Sequence, residues 1–275
     1  MSDIVSYFEN ISSLHRGAIL AGGIAFFWLL ESFKPLFTFD YNKWHHAWIN
    51  IFFTLTTILV NFSMAFLLLL TAQWVSDNEF GIIQWLPNLY FLTYVVLGVA
   101  LLDLIGAYLP HFLEHRIKFF WKFHLVHHTD TWVDTTTANR HHPGESVIRF
   151  VFTLIGVIIV GAPMWMVFLY QSLSVVFSQF NHANLNIPAK LDKWLSYIII
   201  SPDMHKIHHH YQLPYTDSNY GNILSIWDRL FGTFMYMKRE NIVYGIDTHM
   251  DEKENNNLAN LIKLPFQGYR PPPKN

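Results

Sequence analysis

The chain has 275 residues, 52% of them hydrophobic and only 14% charged, with a formal charge of −2 and no cysteine. Soluble domains carry about 25% charged residues, so the composition points to a membrane protein, and the small, mixed charge argues against a nucleic-acid partner. Without cysteine the chain holds no disulfide, cysteine nucleophile, thiolate-ligated haem or cysteine-bound iron–sulfur cluster. Sixteen histidines are the excess that remains.

Runs free of Asp, Glu, Lys and Arg set out the membrane elements in chain order. The first, 17–30, has 14 residues, a length that fits a crossing or a re-entrant helix; it is taken as an N-terminal crossing. No basic segment precedes it and no small-residue cleavage site follows, so it does not read as a cleaved signal peptide. The second lies between Lys43 and Asp77. The third, 80–102, has 23 residues, close to the ~20 that cross a bilayer core. The fourth covers the 40 residues 150–189, about twice one crossing at ~1.5 Å per residue. Gly161-Ala162-Pro163 breaks it near its middle into a helical hairpin. The expected architecture is an all-α integral membrane protein, a single domain over 1–275, with four to five membrane helices including that hairpin. From Asp251 to Asn275, NNN and PPP mark a polar, mobile tail.

Lysine and arginine orient the spans. The loop 73–88 has neither, whereas 109–149 holds Arg116, Lys118, Lys122, Arg140 and Arg149. After the hairpin come Lys190, Lys193, Lys206, Arg229, Lys238 and Arg239. The positive-inside rule places both histidine-rich regions on the cytoplasmic side. A single crossing in place of the hairpin would separate them.

The histidines recur at helical spacing. In HFLEH, His111 and His115 stand at i and i+4 and share a helix face. In HLVHH, His127 and His128 straddle the direction of His124, an arrangement that suits two neighbouring metals better than one. HKIHH repeats it at His205, His208 and His209. All-imidazole sites accept iron, copper, nickel or zinc, so ligand type alone does not choose the metal. Eight clustered imidazoles imply two ions, and an imidazole-rich dinuclear site at a membrane face favours oxygen activation by non-haem iron over zinc hydrolysis, which usually adds a carboxylate. His15, His45, His46 and His249 stand alone and read as interfacial or solvated.

HFLEH, WKFHLVHH and MHKIHHH, in this order, resemble the fatty acid hydroxylase/sterol desaturase superfamily of membrane di-iron oxygenases. TTTANRHHPGES resembles that family's R-x-H-P-x-E segment through Arg140, His142, Pro143 and Glu145. FNHANLNIP resembles its F-x-H-A-N segment through Phe180, His182, Ala183 and Asn184, and NYGNILSIWDRLFGTF resembles its closing stretch. The resemblance covers about 103–234, the expected catalytic region. It implies that His111, His115, His124, His127, His128, His205, His208 and His209 are iron ligands, with His142 and His182 matching further family histidines. His141 and His210 are extra neighbours, expected outside the ligand shell. Asp130, Asp134, Glu145, Asp203 and Asp228 lie near enough to hold imidazole N–H groups, although each alone reads as a surface or capping carboxylate.

The resemblance implies a histidine-rich helical cap on the cytoplasmic side holding two iron ions, with O2 as co-substrate and a membrane lipid (fatty acyl, sterol-like, ether lipid or carotenoid) as substrate. Hydroxylation of an unactivated C–H bond is favoured, and desaturation at the same site stays open. Reducing equivalents must come from a separate redox protein or small reductant. The rival class, a non-catalytic metal-binding or transport protein, is disfavoured because 51–70 and 150–180 hold no acid or base at mid-depth for an ion path.

Overall fold

The computed structural model describes residues 2–87, 89–268 and 270; among these, β pairing is limited to isolated bridges and the rest is helix and loop. A short α1 (Ser2–Glu9) leads into α2 (Ser13–Phe33). Ser12 caps α2 by accepting from His15 N, which extends the 14-residue apolar run to a 21-residue helix, about 31 Å long. Its last turn carries Glu31, which is drawn inward to accept from Thr135 N and Asn184 N.

Asn42 caps α3 (Lys43–Asp77), whose 35 residues extend about 52 Å, well beyond the ~30 Å hydrocarbon layer. Burial divides this helix. His46, Ile49, Asn50 and Phe53 are covered by the histidine-rich cap; Leu59, Phe62 and Phe66 face outward; Leu68, Ala72 and Val75 pack among the other spans. After α4 (Ile82–Trp85), α5 (Phe91–Asp103) continues through a π-turn at Leu104–Tyr108 into α6 (Leu109–Arg116). Pro110 has no N–H to donate, and the wider turn just before it closes from Leu109 N to Leu104 O. The extra residue turns α6 by about 100° relative to α5 and so sets where His111 and His115 point.

Next come α7 (Lys118–His128) and a 3₁₀ turn at Thr135–Asn139, then the hairpin α8 (Pro143–Val160) and α9 (Met164–His182). The break falls where Gly161-Ala162-Pro163 predicts it. Gly161 ends α8 at φ +80 and Pro163 starts α9. Gly81, at φ +111, lies so close to Gly161 that a Cβ there would stand 2.3 Å from Gly161 N, so this contact needs glycine. Four helices among the described residues are long and apolar enough to cross a membrane: Ser13–Phe33, Lys43–Trp85, Phe91–Arg116 and Pro143–Val160. The fifth long helix, α9, carries Gln171, Ser172, Ser174, Ser178 and Gln179 and returns the chain to the end where α6 and α7 meet.

The cap is completed by α10 (Ala189–Leu195), α11 (Pro202–His208), α12 (Ile226–Leu230), α13 (Glu252–Asn255) and α14 (Leu258–Lys263). Where a mobile tail is expected from Asp251, residues 252–266 are instead packed. Leu261 and Leu264 join Ile49, Phe53, Leu125, Val126 and Ile246 in one apolar cluster, and Asn255 O accepts from Arg140. The PPP stretch lies outside the described residues.

Candidate metal centre

The HxxHH spacing of α7 and α11 divides its imidazoles between two adjacent groups. In the first, His111 and His115 from α6 meet His124 and His128 from α7 and His208 from α11. In the second, His205 and His209 meet His127 and His182, the last residue of α9. Each helix thus sends its i, i+4 pair to one group and the intervening histidine to the other. Within each group one ring nitrogen per residue lies within 4.8 Å of all the rest.

Hydrogen bonds fix which nitrogen faces inward. His111 Nδ1 donates to Tyr220 O at 2.8 Å and His208 Nδ1 to Ser218 O at 2.7 Å. Carbonyls only accept, so both Nδ1 atoms carry the proton and both Nε2 atoms present bare lone pairs. Those two Nε2 atoms are 2.9 Å apart. Lone pairs facing at that distance repel unless a cation lies between them. Two nitrogens about 2.1 Å from one metal and at right angles to each other would stand about 3 Å apart.

The second group repeats the pattern. His182 Nδ1 donates to Ser178 O at 2.7 Å, and its Nε2 lies 3.1, 3.0 and 3.3 Å from the Nε2 atoms of His127, His205 and His209. In the first group His115 Nε2, His124 Nε2 and His128 Nε2 are buried without any partner. Nine converging imidazoles, five of them with Nδ1 held by a carbonyl or carboxylate so that Nε2 is free to ligate, suit a borderline transition metal such as iron or zinc.

Carboxylates complete the support. Glu145 Oε1 accepts from His124 Nδ1 and His141 Nδ1, both at 2.8 Å, and from Arg149 Nε at 3.0 Å. Arg149 also donates to Glu114 Oε2 at 2.7 Å. Asp217 accepts from His115 Nδ1 at 3.2 Å. Burial holds the imidazoles of His127, His128, His205, His208 and His209 well below the ordinary histidine value and takes His124 down to about 3. All six are therefore neutral at pH 7, the form that ligates. Lys206, brought down to about 8 by burial, donates to Ala183 O at 2.8 Å and ties α11 to the end of α9 beside His182.

Nine of the ten sequence-predicted residues converge; His142 lies apart. It caps α8, its Nδ1 accepting from Gly144 N at 3.0 Å and its Nε2 donating to Ile262 O at 3.2 Å. Its neighbour His141, expected outside, is the closer of the two: it bonds Glu145 and stacks on His127 with ring centroids 4.8 Å apart. Of the five acids expected near the imidazoles, Glu145 alone bonds one of the nine. Asp130 and Asp134 instead enclose His46, which is fully buried with Nε2 2.8 Å from Asp130 and Nδ1 3.2 Å from Asp134, rather than solvated. Asp203 pairs with Arg239. Asp228 accepts from Tyr220 N and Gly221 N. His249 is also buried, in the wall of a cleft of about 370 Å³ that His115, Trp121 and Leu264 also line. His15 and His45 are exposed as expected. Sequence reasoning passes over Asp217, and the three carbonyls from Ser178, Ser218 and Tyr220 leave no sequence signal.

Fold and site together define a helical membrane protein with a buried polyhistidine centre. The chain belongs to the fatty acid hydroxylase family, whose profile matches residues 95–233, half of its length. Similar proteins include ornithine lipid hydroxylase OlsE of Rhizobium tropici, 30% identical over 51% of this chain and 41% of that protein. Alkylglycerol monooxygenase of Caenorhabditis elegans is 28% identical over 58% of this chain and 30% of its own. A cholesterol 25-hydroxylase-like protein of Danio rerio is 24% identical over 59% of this chain and 58% of its own. The chain thus spans less than two thirds of each of these relatives. No solved structure matches.

Proposed function

We propose that this protein is an O2-dependent hydroxylase of a membrane-resident lipid, working through two non-haem iron ions. His111, His115, His124, His128 and His208 would hold one, and His127, His182, His205 and His209 the other. The observation that carries this reading is the convergence of nine buried imidazoles in two adjacent groups at the end of helices able to span a bilayer. Iron bound there would supply the reduction of O2 and the oxidising power to break an unactivated C–H bond. In the net reaction RH, O2, two electrons and two protons give ROH and water; a separate redox protein or a small reductant is the proposed source of the electrons.

The chain's own residues orient and exclude. Ser178 O, Ser218 O, Tyr220 O, Glu145 and Asp217 fix the tautomer and direction of five imidazoles. Burial of the centre keeps water from the reacting groups. The names of the relatives support hydroxylation over desaturation, and a lipid as the substrate. We place the histidine end on the cytoplasmic side. Arg140 and Lys206 are buried and hydrogen-bonded inside the fold, so that assignment rests on Arg116, Lys118, Lys122, Lys190, Lys193 and Lys238.

The test is expression under labelled oxygen followed by mass spectrometry of the membrane lipids. One labelled oxygen atom in a lipid product is expected. A new double bond without label would keep the site and replace the reaction by desaturation. A lipid profile that the gene leaves unchanged, with oxygen and a competent reductant supplied, would favour a metal-binding protein without catalysis.

A further inference from the structure

Six large apolar side chains stand exposed on cap segments that cross no membrane: Trp194, Tyr197 and Ile198 at the end of α10, and Ile226, Leu230 and Phe231 on α12. They form one surface because the two segments are joined. Ile199 and Leu224 make an antiparallel bridge, Ile200 N donates to Ile223 O at 2.9 Å, and Ser225 N to Ile198 O at 3.2 Å. Arg229 reinforces the join, donating to Ser196 O and lying 5.1 Å from the ring centroid of Tyr197. Ile198 is 70% exposed, Leu230 67% and Trp194 64%, too much contiguous apolar surface to leave in water.

We infer that this face of the catalytic cap is embedded in the bilayer, with the lipid surface itself as its partner. The first reason is depth. Asp103, at the end of α5, accepts from Ile223 N, Leu224 N and Trp227 Nε1 at 3.2, 3.1 and 3.0 Å. Five residues on, Tyr108 stacks on Phe231 with centroids 5.3 Å apart. Residues 103–108 lie about 18–26 Å along the span that starts at Phe91, inside the ~30 Å of a hydrocarbon core. The α12 segment is therefore fixed beside the part of a span that is itself at membrane depth.

The second reason is charge. The acids of these segments turn inward: Asp192 accepts from Ser201 Oγ, and Asp228 accepts from Tyr220 N and Gly221 N. Lys190 and Lys193 stay at the surface. Tryptophan and tyrosine with flanking lysine, and no exposed acid among them, match the interfacial zone of a membrane and attract anionic headgroups. The face would thus hold α11, which runs between these two segments, carries His205 and His208 and leads into His209, at the lipid boundary.

Because the chain has no cysteine, single-cysteine spin labels can be placed without background. The full chain would be labelled at Ile198→Cys or Leu230→Cys, in nanodiscs containing phosphatidylglycerol. Collisions with O2, which concentrates in lipid, and with a water-soluble nickel chelate would then be compared by electron paramagnetic resonance. Leu59→Cys, outward on α3, is the lipid reference, and Glu240→Cys, exposed in a 3₁₀ turn, the aqueous one. Both test sites should resemble Leu59, with nickel collisions several-fold below those at Glu240. Nickel accessibility equal to that of Glu240 would overturn the inference. So would exclusion of both reagents, which would mean that protein, such as a second copy of the chain, covers the face. The readout is independent of catalysis, so a failure of the proposed activity leaves it standing.

Discussion

The Nδ1 of His124 donates to Oε1 of Glu145 at 2.8 Å, both side chains fully buried. This bond links the strongest carboxylate support in the cap to the first imidazole group, and through His141 the same oxygen reaches the ring stacked on His127. Glu145→Gln keeps the shape but offers one acceptor and one donor where three donors converge. Metal affinity measured by competition with a chelator should fall about 10- to 100-fold. Unchanged affinity would remove Glu145 from the support of the centre.

Asp217 has the same relation to His115, at 3.2 Å and with more solvent access. Asp217→Asn should weaken metal binding toward the lower, about tenfold, end of that range. A loss larger than that of Glu145→Gln would make Asp217, not Glu145, the stronger support.

His46 tests the frame behind the centre. It holds Asp130 and Asp134 together, and its removal leaves two buried carboxylates short of a partner. His46→Ala should destabilise the protein by about 3–5 kcal/mol, whereas His45→Ala, at an exposed position, should stay within about 0.5 kcal/mol. Denaturant unfolding of the two variants distinguishes them, and equal effects would contradict the buried cluster.

These sites show what the sequence makes legible. The pairing of His124 with His128 rather than His127 is set by the packing of the cap, whereas that His127 and His128 straddle His124, which suits two metals, follows from helix period alone. The break at Gly161-Ala162-Pro163 is equally local. His46 reads as one histidine among aromatics because its partners lie 84 and 88 residues away. His141 and His142 are adjacent and chemically alike; only the 3₁₀ turn before them and the start of α8 decide that His142 caps a helix while His141 faces Glu145. The tail misleads because its asparagines look like solvent-seeking residues. Asn257 instead caps α14, and Leu258, Leu261 and Leu264 bury the apolar side of that segment.

Protonation gives a direction for pH. The His124 imidazole, ordinarily near 6.5, titrates near 3 in the fold because burial disfavours its charge. Between those values the unfolded chain takes up a proton that the folded chain refuses. The contribution to stability is full above about 6.5 and is lost as pH falls toward 3. Thermal unfolding of the metal-free protein should therefore move to lower temperature from pH 7.5 to pH 5. An unfolding temperature that held steady or rose would contradict neutral, buried imidazoles.

Metal content tests the central claim most directly. Elemental analysis of the purified full chain should find about two transition-metal ions per chain, as two separate imidazole groups require. The double variant His205→Ala/His209→Ala, which strips the second group to His127 and His182, should keep the ion of the first. One ion in the unaltered protein, or loss of both ions together in the variant, would contradict two imidazole groups each holding its own metal.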